Sequence, residues 1–253
     1  MFEEKYYKLL ACPYCKLELK RNKKGLSCVK CKRRFSIRKG VPIIIPDDFN
    51  VSTWKKGKRG LETNSFFKKF FAKKKKPFLN VENKLTLDVG CGEDAEGMIN
   101  MDVYFPKQMP KNFLIGSAEY LPFVDDSIDI VKSSYVIEHL LSPSNFILDC
   151  IRIAREEVII ILDNSDWIGE ILMRLIGVGR IFHDEHYYKW SEEYMRNLIK
   201  RVGVSGEVEV LNLSTNPLVI ALSLLGNISR IGKLFYRDLF VEIRKKEKKE
   251  GNI

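Results

Sequence analysis

Residues 85–102 read LTLDVGCGEDAEGMINMD and contain the most informative pattern of the chain. A short apolar run ends at Asp88, a glycine pair follows at Gly90 and Gly92, and a second apolar run ends at Asp102. Glycines after a strand let the main chain approach a ligand closely, and an acid that ends the next strand can bind two ribose hydroxyls. The stretch therefore predicts a parallel sheet that binds a nucleotide-like ligand at its edge.

The glycine loop differs from that of dinucleotide-binding enzymes. Those enzymes use G-x-G-x-x-G, a full helix and an acid about 20 residues further on. Here the motif is D-V-G-C-G, and Asp102 follows Gly92 by only ten residues. Residues 93–98 are all that separates Gly92 from the second strand, whereas a helical crossover needs at least about 10 residues. We therefore expect a turn in place of the first crossover helix.

The chain after Lys84 alternates apolar runs with amphipathic segments, which is typical of a parallel sheet with helices on both faces. The predicted strands are Leu85–Val89, Ile99–Asp102, Phe113–Ile115, Ile128–Ser133, Val158–Leu162, Val208–Leu213 and Leu239–Ile243. The predicted helices are Pro143–Arg155, Trp167–Ile176 and Glu192–Val202. Ser191 is expected to cap the last helix and Gly203 to end it. The fold class is therefore α/β, with a Rossmann-like sheet.

Four of the six cysteines form two C-x2-C pairs. They are Cys12, Cys15, Cys28 and Cys31. The two-residue gap lets both sulfurs of a pair turn onto one ion, and two pairs complete a tetrahedral Zn²⁺ site with no open position for water, so the metal would be structural. Disulfides are the competing interpretation, but they are rare in a reducing cytoplasm. Cys91 and Cys150 are expected to be buried small residues.

Charge is distributed unevenly along the chain. Residues 1–80 carry 23 Lys and Arg against 6 Asp and Glu, whereas the remainder carries 20 against 27, so the two parts have net charges of +17 and −7. This asymmetry favours two modules with different partners. The basic half is either a surface that binds RNA or a lysine-rich surface that contacts only water, and both interpretations stay open.

The motifs and the changes of pattern along the chain predict three parts: a zinc ribbon at residues 1–46, a basic hinge at residues 47–83 and a sheet domain at residues 84–253. In the hinge, SFFKKFFA places four phenylalanines on one face of a predicted amphipathic helix. This helix caps the sheet in the simpler interpretation. In the other, it forms a basic aromatic patch with Lys73–Lys76 that binds RNA or an anionic membrane surface.

No apolar run approaches the ~20 residues that a membrane span needs. The nearest, PLVIALSLLG at residues 217–226, is interrupted too early. The first residues, MFEEKYYKLL, lack the features of a signal peptide. We therefore expect a cytoplasmic protein without a transmembrane segment.

The block LLACPYCKLEL…GLSCVKCKRRFSIRKGVPIIIPDD, within residues 9–48, resembles a family of small zinc ribbons. That family includes the activator subunit of tRNA, rRNA and protein methyltransferases. Its ribbons dock onto or scaffold other proteins and are not catalysts. The resemblance therefore implies a protein partner for the ribbon.

The segments LDVGCG, INMD and GSAEYLPFVDDSIDIVKSSYVIEHL resemble class I methyltransferases of the type 11 group, which depend on S-adenosyl-L-methionine (SAM). The residues that this resemblance assigns to SAM are Asp88, Gly90, Gly92, Asp102, Ser117, Ala118, Glu119, Ser134 and Tyr135. Asp88, Gly90 and Gly92 would line the methionine, and Asp102 would bind the ribose. Ser117, Ala118 and Glu119 would lie near the adenine. Ser134 and Tyr135 would approach the methyl group.

Two positions depart from the pattern of this family. Asp94 stands where the family has a third glycine, and Ser117 stands where an acid usually precedes the alanine of the adenine loop. The first change could alter the loop, and the second removes one expected hydrogen bond to the adenine amine. SAM binding remains the prediction.

Methyl transfer from a sulfonium is an in-line displacement, so positioning does most of the work. SSYVIEHL lacks the N-P-P-[YF] run that acts on exocyclic amines of bases, and IILDNSD lacks the Pro-Cys pair that attacks pyrimidine carbons. The acceptor is then an O, N or C atom that needs at most one general base. The candidate catalytic residues are Glu138, His183 and His186, whereas His139 is expected to pack or cap at a helix start.

Three functions follow from these features. The first is a methyltransferase whose ribbon and hinge help it hold RNA or a translation-related protein. The second is a methyltransferase of a small or lipid-like molecule, with the ribbon as a scaffold. The third is a non-catalytic binding or activator subunit whose altered glycine loop no longer holds SAM. SAM affinity separates the third from the others, and a steep salt dependence of nucleic-acid affinity separates the first from the second.

Overall fold

The computed structural model describes residues 1–47, 83–168, 175, 186–204, 206–213 and 238–245. Outside these residues lie the predicted hinge helix with Lys73–Lys76, His183, and seven of the ten residues of the predicted helix Trp167–Ile176. Of the helices within them, none is both long and apolar enough to cross a membrane.

The amino-terminal part is a small antiparallel β-structure that follows a 3-10 helix at Glu4–Leu9. Its strands are β1 (Leu19–Asn22), β2 (Gly25–Cys28), β3 (Arg34–Arg38) and β4 (Val41–Ile44), each antiparallel to the next. Gly25 turns the chain between the first two strands with a φ of 131°, and a Cβ there would lie 2.4 Å from the carbonyl oxygen of Phe35. The turn therefore requires glycine at this position.

All seven predicted strands of the central sheet are confirmed. They are β5 (Thr86–Val89), β6 (Ile99–Asp102), β7 (Phe113–Gly116), β8 (Ile128–Ser134), β9 (Ala154–Asp163), β10 (Gly206–Leu213) and β11 (Asp238–Lys245). Their spatial order is β7-β6-β5-β8-β9-β11-β10. The five strands β5 to β9 are parallel to one another, and β11 is antiparallel to both of its neighbours, β9 and β10. This parallel sheet with crossovers confirms the α/β fold class.

The two described α-helices pack against one face of the sheet, in the main core. They are α1 (Pro143–Ile153) and α2 (Glu192–Val202). The predicted ends of α2 are confirmed. The Ser191 hydroxyl caps its first turn, and the helix ends at Gly203, which adopts a left-handed conformation with a φ of 72°. Helix α1 ends before Arg155, its predicted end, since Ala154 already pairs with Ile128 in the sheet.

The connection between β5 and β6 is the short turn that the sequence predicts. Leu87 lies opposite Ile99 in parallel register, and residues 93–98 form turns and bends. The Asn100 side chain ties this turn down, because its amide both donates to the Gly97 carbonyl and accepts the Gly97 N–H, each at 2.9 Å. Two parallel strands are thus joined without a crossover helix.

The ribbon is continuous with the central sheet. Strand β4 pairs in parallel with β7, with Ile43 opposite Ile115, so that one sheet has eleven strands. Leu10 forms an antiparallel bridge with Phe123. Cys12 packs in the same apolar core as the covered face of the sheet. Main-chain hydrogen bonds and a common core therefore join the two parts.

The strand order places a topological switch point in the middle of the sheet. The chain runs from β5 to β6 and β7 on one side, and then returns to β8 on the other side of β5. Ligands of open α/β sheets bind in the crevice outside the carboxyl ends of the strands at such a point. The glycine loop follows β5 directly and therefore lies at this crevice.

Candidate functional site

The four cysteines predicted to bind the metal lie together in one cluster. The Sγ atoms of Cys12 and Cys31 lie 3.6 Å apart, and those of Cys15 and Cys28 lie 3.3 Å apart. All four sulfurs lie within 4.8 Å of one another. Tetrahedral Zn²⁺ with Zn–S bonds of about 2.3 Å needs sulfurs about 3.8 Å apart, so the cluster fits zinc. All six cysteines are free thiols, which does not support the disulfide interpretation.

The cluster is closed to solvent on one side and has the character of a structural site. Cys12 and Cys28 are buried, and Cys15 and Cys31 are half-buried. Burial raises the pKa of the Cys12 thiol to about 12, whereas a hydrogen bond from the Arg33 main chain lowers the pKa of Cys31 to about 6. Zinc would ionise all four thiols and leave no position for a catalytic water.

The glycine loop is fixed to the second strand by main-chain groups. The Gly90 N–H donates to the Met101 carbonyl at 2.8 Å, and the Gly92 N–H donates to Oδ2 of Asp102 at 2.8 Å. Both glycines have positive φ, 69° and 58°. A Cβ on Gly90 would lie 2.2 Å from Val136, but a Cβ on Gly92 would meet nothing within 4 Å. Gly92 therefore faces open space that a ligand can enter.

Asp102 both anchors this loop and keeps acceptor capacity. Its Oδ1 accepts the Tyr104 N–H at 3.1 Å, while Oδ2 accepts Gly92. Burial raises the pKa of this carboxyl. A carboxylate has about four lone-pair sites, so ribose hydroxyls can still donate to it.

Cys91 connects the glycine loop to the ribbon. It is buried and packs with Val41 of β4 and with Phe113 and Ile115 of β7. The predicted burial of Cys91 and Cys150 is confirmed. Because Val41 belongs to the ribbon, the loop rests partly on a strand from another region of the chain.

Asp88 and Lys132 form a buried polar pair beside the glycine loop, on the face of the sheet opposite α1 and α2. Asp88 stands next to Lys132 across β5 and β8, and its Oδ2 accepts the Glu96 N–H at 3.1 Å. Lys132 is only 7% exposed and forms an ion pair with Glu96. A buried ammonium needs such a partner, so Lys132 and Asp88 together hold the turn after the glycine loop. No motif in the sequence identified Lys132.

The residues assigned to the adenine follow β7. The Ser117 hydroxyl is buried and accepts the Glu119 N–H at 3.2 Å, and Ala118 is buried between them. The Glu119 carboxylate accepts the Ser142 N–H at 2.8 Å, which ties the turn to the start of α1. Ser117 thus replaces the usual acid with a hydroxyl that caps a 3-10 turn.

Ser134 and Tyr135 follow β8. The Ser134 Oγ is buried and has no hydrogen-bond partner in the described part of the chain. Tyr135 has a φ of 57°, and its N–H donates to the Ile161 carbonyl at 2.8 Å. Positive φ at a bulky residue is a strained conformation that often marks a functional turn. All nine residues assigned to SAM therefore lie at the carboxyl edge of β5 to β8.

Of the two catalytic candidates that the structure describes, Glu138 is the more deeply buried. It lies in a 3-10 turn at Ile137–His139 and is 1% exposed. Its Oε1 accepts the Asp163 N–H at 2.9 Å, whereas its Oε2 has no hydrogen-bond partner in the described residues. Burial, and then the charges of Asp163 and Asp238, raise its pKa to about 7. A carboxyl group with that pKa can exchange a proton at neutral pH.

A cleft brings Glu138 and His186 together. The residues that line it are Glu138, Asp163, Ser165, His186, Tyr188, Lys189 and Trp190. The His186 ring meets the His139 ring edge to face, with centroids 4.6 Å apart. The third candidate, His183, falls outside the described residues.

Sequence reasoning did not select Asp163, Tyr188 or Trp190. Asp163 ends the long apolar strand β9, as Asp88 and Asp102 stand at the ends of their apolar runs. That shared position could have identified it. The two aromatic residues carry no such signal, because only the return of the chain past β9 brings them to the cleft.

Two family models match the chain. The model of the methyltransferase domain, Methyltransf_11, matches residues 93–162, and that of Trm112p-like proteins matches residues 3–40. The resemblance to both families is confirmed over these residues: the chain is similar to Trm112p-like proteins at residues 3–40 and to the methyltransferase domain at residues 93–162.

Individual relatives are similar over part of the chain. An uncharacterised methyltransferase of Mycobacterium marinum is 37% identical over 60 residues, which are 24% of this chain and 24% of that protein. The chain thus matches about a quarter of this curated relative. A SAM-dependent methyltransferase of Thermotoga maritima has 14% identity and a TM-score of 0.49 over 66% of this chain and 84% of its own. A complex of the Trm112 methyltransferase activator of Haloferax volcanii with an assigned methyltransferase has 14% identity and a TM-score of 0.46, over 64% and 83%.

Proposed function

We propose that this chain is a class I methyltransferase that transfers a methyl group from SAM to an O, N or C atom of its acceptor. The proposal depends on one observation: the Gly92 N–H donates a hydrogen bond to the Asp102 carboxylate at the switch point of a parallel sheet. It places an open glycine loop and an acid with free acceptor capacity at the same edge. The methyltransferase-domain match over residues 93–162 supports this assignment.

SAM supplies an electrophilic methyl group on a sulfonium, so the chain needs to bind, orient and exclude water rather than to attack. In this proposal Gly90 and Gly92 admit the methionine part, with Asp88 holding the loop behind them. Asp102 accepts the ribose hydroxyls. The Ser117 turn borders the adenine, and Ser134 and Tyr135 border the methyl group at the end of β8.

The glycine loop provides a direct test of the cofactor site. Asn tolerates positive φ, so Gly92→Asn should keep the fold while its side chain fills the open space. We expect SAM affinity to fall at least ~30-fold, by about 2 kcal/mol, measured by calorimetric titration. Gly203→Asn is a matched control, because Gly203 also has positive φ with nothing within 4 Å of its Cβ. Equal SAM affinity in both variants would contradict the proposed site.

In the proposed division, residues 1–46 form the ribbon, residues 47–83 the basic hinge and residues 84–253 the catalytic domain. The zinc is structural, and the ribbon supports the cofactor loop through Val41 and Cys91. The Trm112p-like match supports a protein partner for the ribbon. Free thiols and a thiolate metal site suit a reducing compartment, so we place the protein in the cytoplasm.

We propose further that the basic amino-terminal part binds RNA, which would make RNA or an RNA-associated protein the acceptor. The ribbon exposes many cations. Those on its strands and turns include Lys20, Lys23, Lys24, Lys30, Lys32, Arg34, Arg38 and Lys39. Cations spread over one small unit match the spaced phosphates of a nucleic acid. A small or lipid-like acceptor remains the alternative, in which this surface contacts only water.

Salt dependence tests the RNA assignment. The variant Lys23→Glu, Lys24→Glu should reduce the magnitude of the slope of log affinity against log salt by about 1.4 for a single-stranded RNA, because each of two phosphate contacts contributes about 0.7. Fluorescence anisotropy of a labelled 20-mer measures it. The control Lys200→Glu, Arg201→Glu reverses two exposed cations on α2, away from the ribbon, and should leave the slope unchanged. Salt-independent binding, or equal slopes in both variants, would favour the small-molecule alternative.

A further inference from the structure

The cleft at the carboxyl ends of β8 and β9 contains two of the carboxyl groups that meet there. Glu138 and Asp163 line it, and Asp238 stands opposite Asp163 in the adjacent strand β11, where its charge acts on Glu138. The lining also contains the cation Lys189 and the imidazole of His186. Two carboxyl groups in the lining and a third on the neighbouring strand outnumber the one lysine, which favours a ligand with positive charge over a phosphate or a carboxylate.

Two buried polar atoms of the lining point to a ligand. Oε2 of Glu138 and Nε1 of Trp190 have no hydrogen-bond partner in the described part of the chain. Both residues are more than nine-tenths buried, at 1% and 7% exposed. Buried polar groups are almost always hydrogen-bonded, so an acceptor and a donor left without partners in one cleft need an explanation. A ligand with an N–H donor and a separate acceptor atom would satisfy both.

The aromatic side of the cleft fits the same ligand. The rings of Tyr188 and Trp190 lie 5.7 Å apart, and both line the cleft. The Tyr188 hydroxyl donates to the Leu141 carbonyl at 3.2 Å, which fixes this ring beside the turn that carries Glu138. Aromatic faces attract ammonium groups, most strongly where carboxylates already favour a cation.

We propose that this cleft binds the methyl acceptor as a cationic amine, with its nitrogen on Glu138 and a hydrogen-bond acceptor of the same molecule on the indole N–H of Trp190. The inference rests on the proposed methyltransferase function and narrows its acceptor to a cationic amine, which an RNA-associated protein or a small molecule can carry but RNA itself does not. Ser134 and Tyr135 meet β9 at Ile161, and Glu138 meets the same strand two residues later at Asp163, so the cleft and the proposed methyl site share the ends of β8 and β9.

Glu138 then acts as the general base. The ammonium nitrogen gives one proton to Oε2 of Glu138 and becomes a neutral amine. Its lone pair forms the new N–C bond to the methyl carbon, and the C–S bond breaks with its electron pair passing to sulfur. The products are S-adenosylhomocysteine, a methylated ammonium and protonated Glu138, which later gives its proton to water. The charge of the sulfonium thus ends on the methylated nitrogen.

Three small probes of equal shape and different charge test this proposal on the full chain. They are 2-methoxyethylammonium, 2-methoxyethanol and methoxyacetate. The readout is the NMR signal of the Trp190 indole N–H, identified with Trp190→Phe. We expect the ammonium probe to shift this signal with at least tenfold higher affinity than the other two. Glu138→Gln keeps an oxygen for the Asp163 N–H but lacks the charge, and it should lose this preference.

Glu193→Gln is the control for Glu138→Gln, because it removes an exposed carboxylate from α2. The proposal would be overturned if methoxyacetate bound as tightly as the ammonium probe. It would also be overturned if a folded Glu138→Gln variant kept the preference for the ammonium probe. The probes are tested without SAM, and SAM is titrated separately. SAM binding without an ammonium preference would overturn only the amine assignment, whereas an ammonium preference without SAM binding would keep the cation site and overturn the methyltransferase function.

Discussion

Replacing Asp102 with alanine is expected to weaken SAM binding by at least ~100-fold while the protein stays folded. The carboxylate would accept two ribose hydroxyls, and each hydrogen bond to a charged group contributes about 1.5–3 kcal/mol. Loss of two such bonds therefore exceeds the ~2.7 kcal/mol that corresponds to 100-fold in affinity. The variant also frees the Gly92 N–H, which Asp102 now holds at 2.8 Å. Isothermal titration with SAM measures the change.

Two further variants separate the roles of Asp102. Asp102→Asn keeps one oxygen for the loop and should bind SAM with an affinity between those of wild type and alanine. Asp125→Ala removes a more exposed aspartate that pairs with Arg152, and it should bind SAM as wild type does. SAM affinity within threefold of wild type in a folded Asp102→Ala would disprove the ribose assignment. A wild-type protein that is folded and zinc-loaded but does not bind SAM would instead favour the non-catalytic subunit.

The features that sequence predicted are those with local causes. Glycines after an apolar run, an acid after the next run and a connection too short for a helix together predict the loop, Asp102 and the turn at residues 93–98. The cap at Ser191 and the left-handed Gly203 follow from short-range backbone chemistry in the same way. The C-x2-C spacing likewise predicts the sulfur cluster, because both sulfurs of each pair reach one ion.

The features that sequence missed depend on distant parts of the chain. The run VPIII is apolar enough for a strand, but nothing in it specifies β7 as a neighbour, since pairing is set by tertiary packing. The acidic cleft is a second case. Glu138 was a candidate from its motif, but its burial and raised pKa arise only where the ends of β8, β9 and β11 meet. Trp190 reaches the same place from a segment near α2.

Loss of the metal is expected to have the second largest effect. Cys28→Ala should remove zinc and lower the free energy of unfolding by at least ~4 kcal/mol, because binding of a structural zinc is part of the folding free energy. The ribbon shares its core with the sheet, so the change should reach beyond residues 1–46. Strand β4 holds Val41 against Cys91, and its loosening should also weaken SAM binding about tenfold. Atomic absorption, chemical denaturation and SAM titration measure the three effects.

Cys150→Ala makes the metal effect distinguishable from the loss of a buried sulfur. Cys150 is fully buried in the same core as Cys28 but lies outside the sulfur cluster. Its removal should cost about 1–2 kcal/mol and leave one zinc per chain. A Cys28→Ala variant that is no less stable than Cys150→Ala would mean that the ribbon folds without its metal. If Cys28→Ala loses zinc and stability but binds SAM normally, the packing of Val41 on Cys91 does not position the glycine loop, and the ribbon serves only the stability of the sheet or its partner.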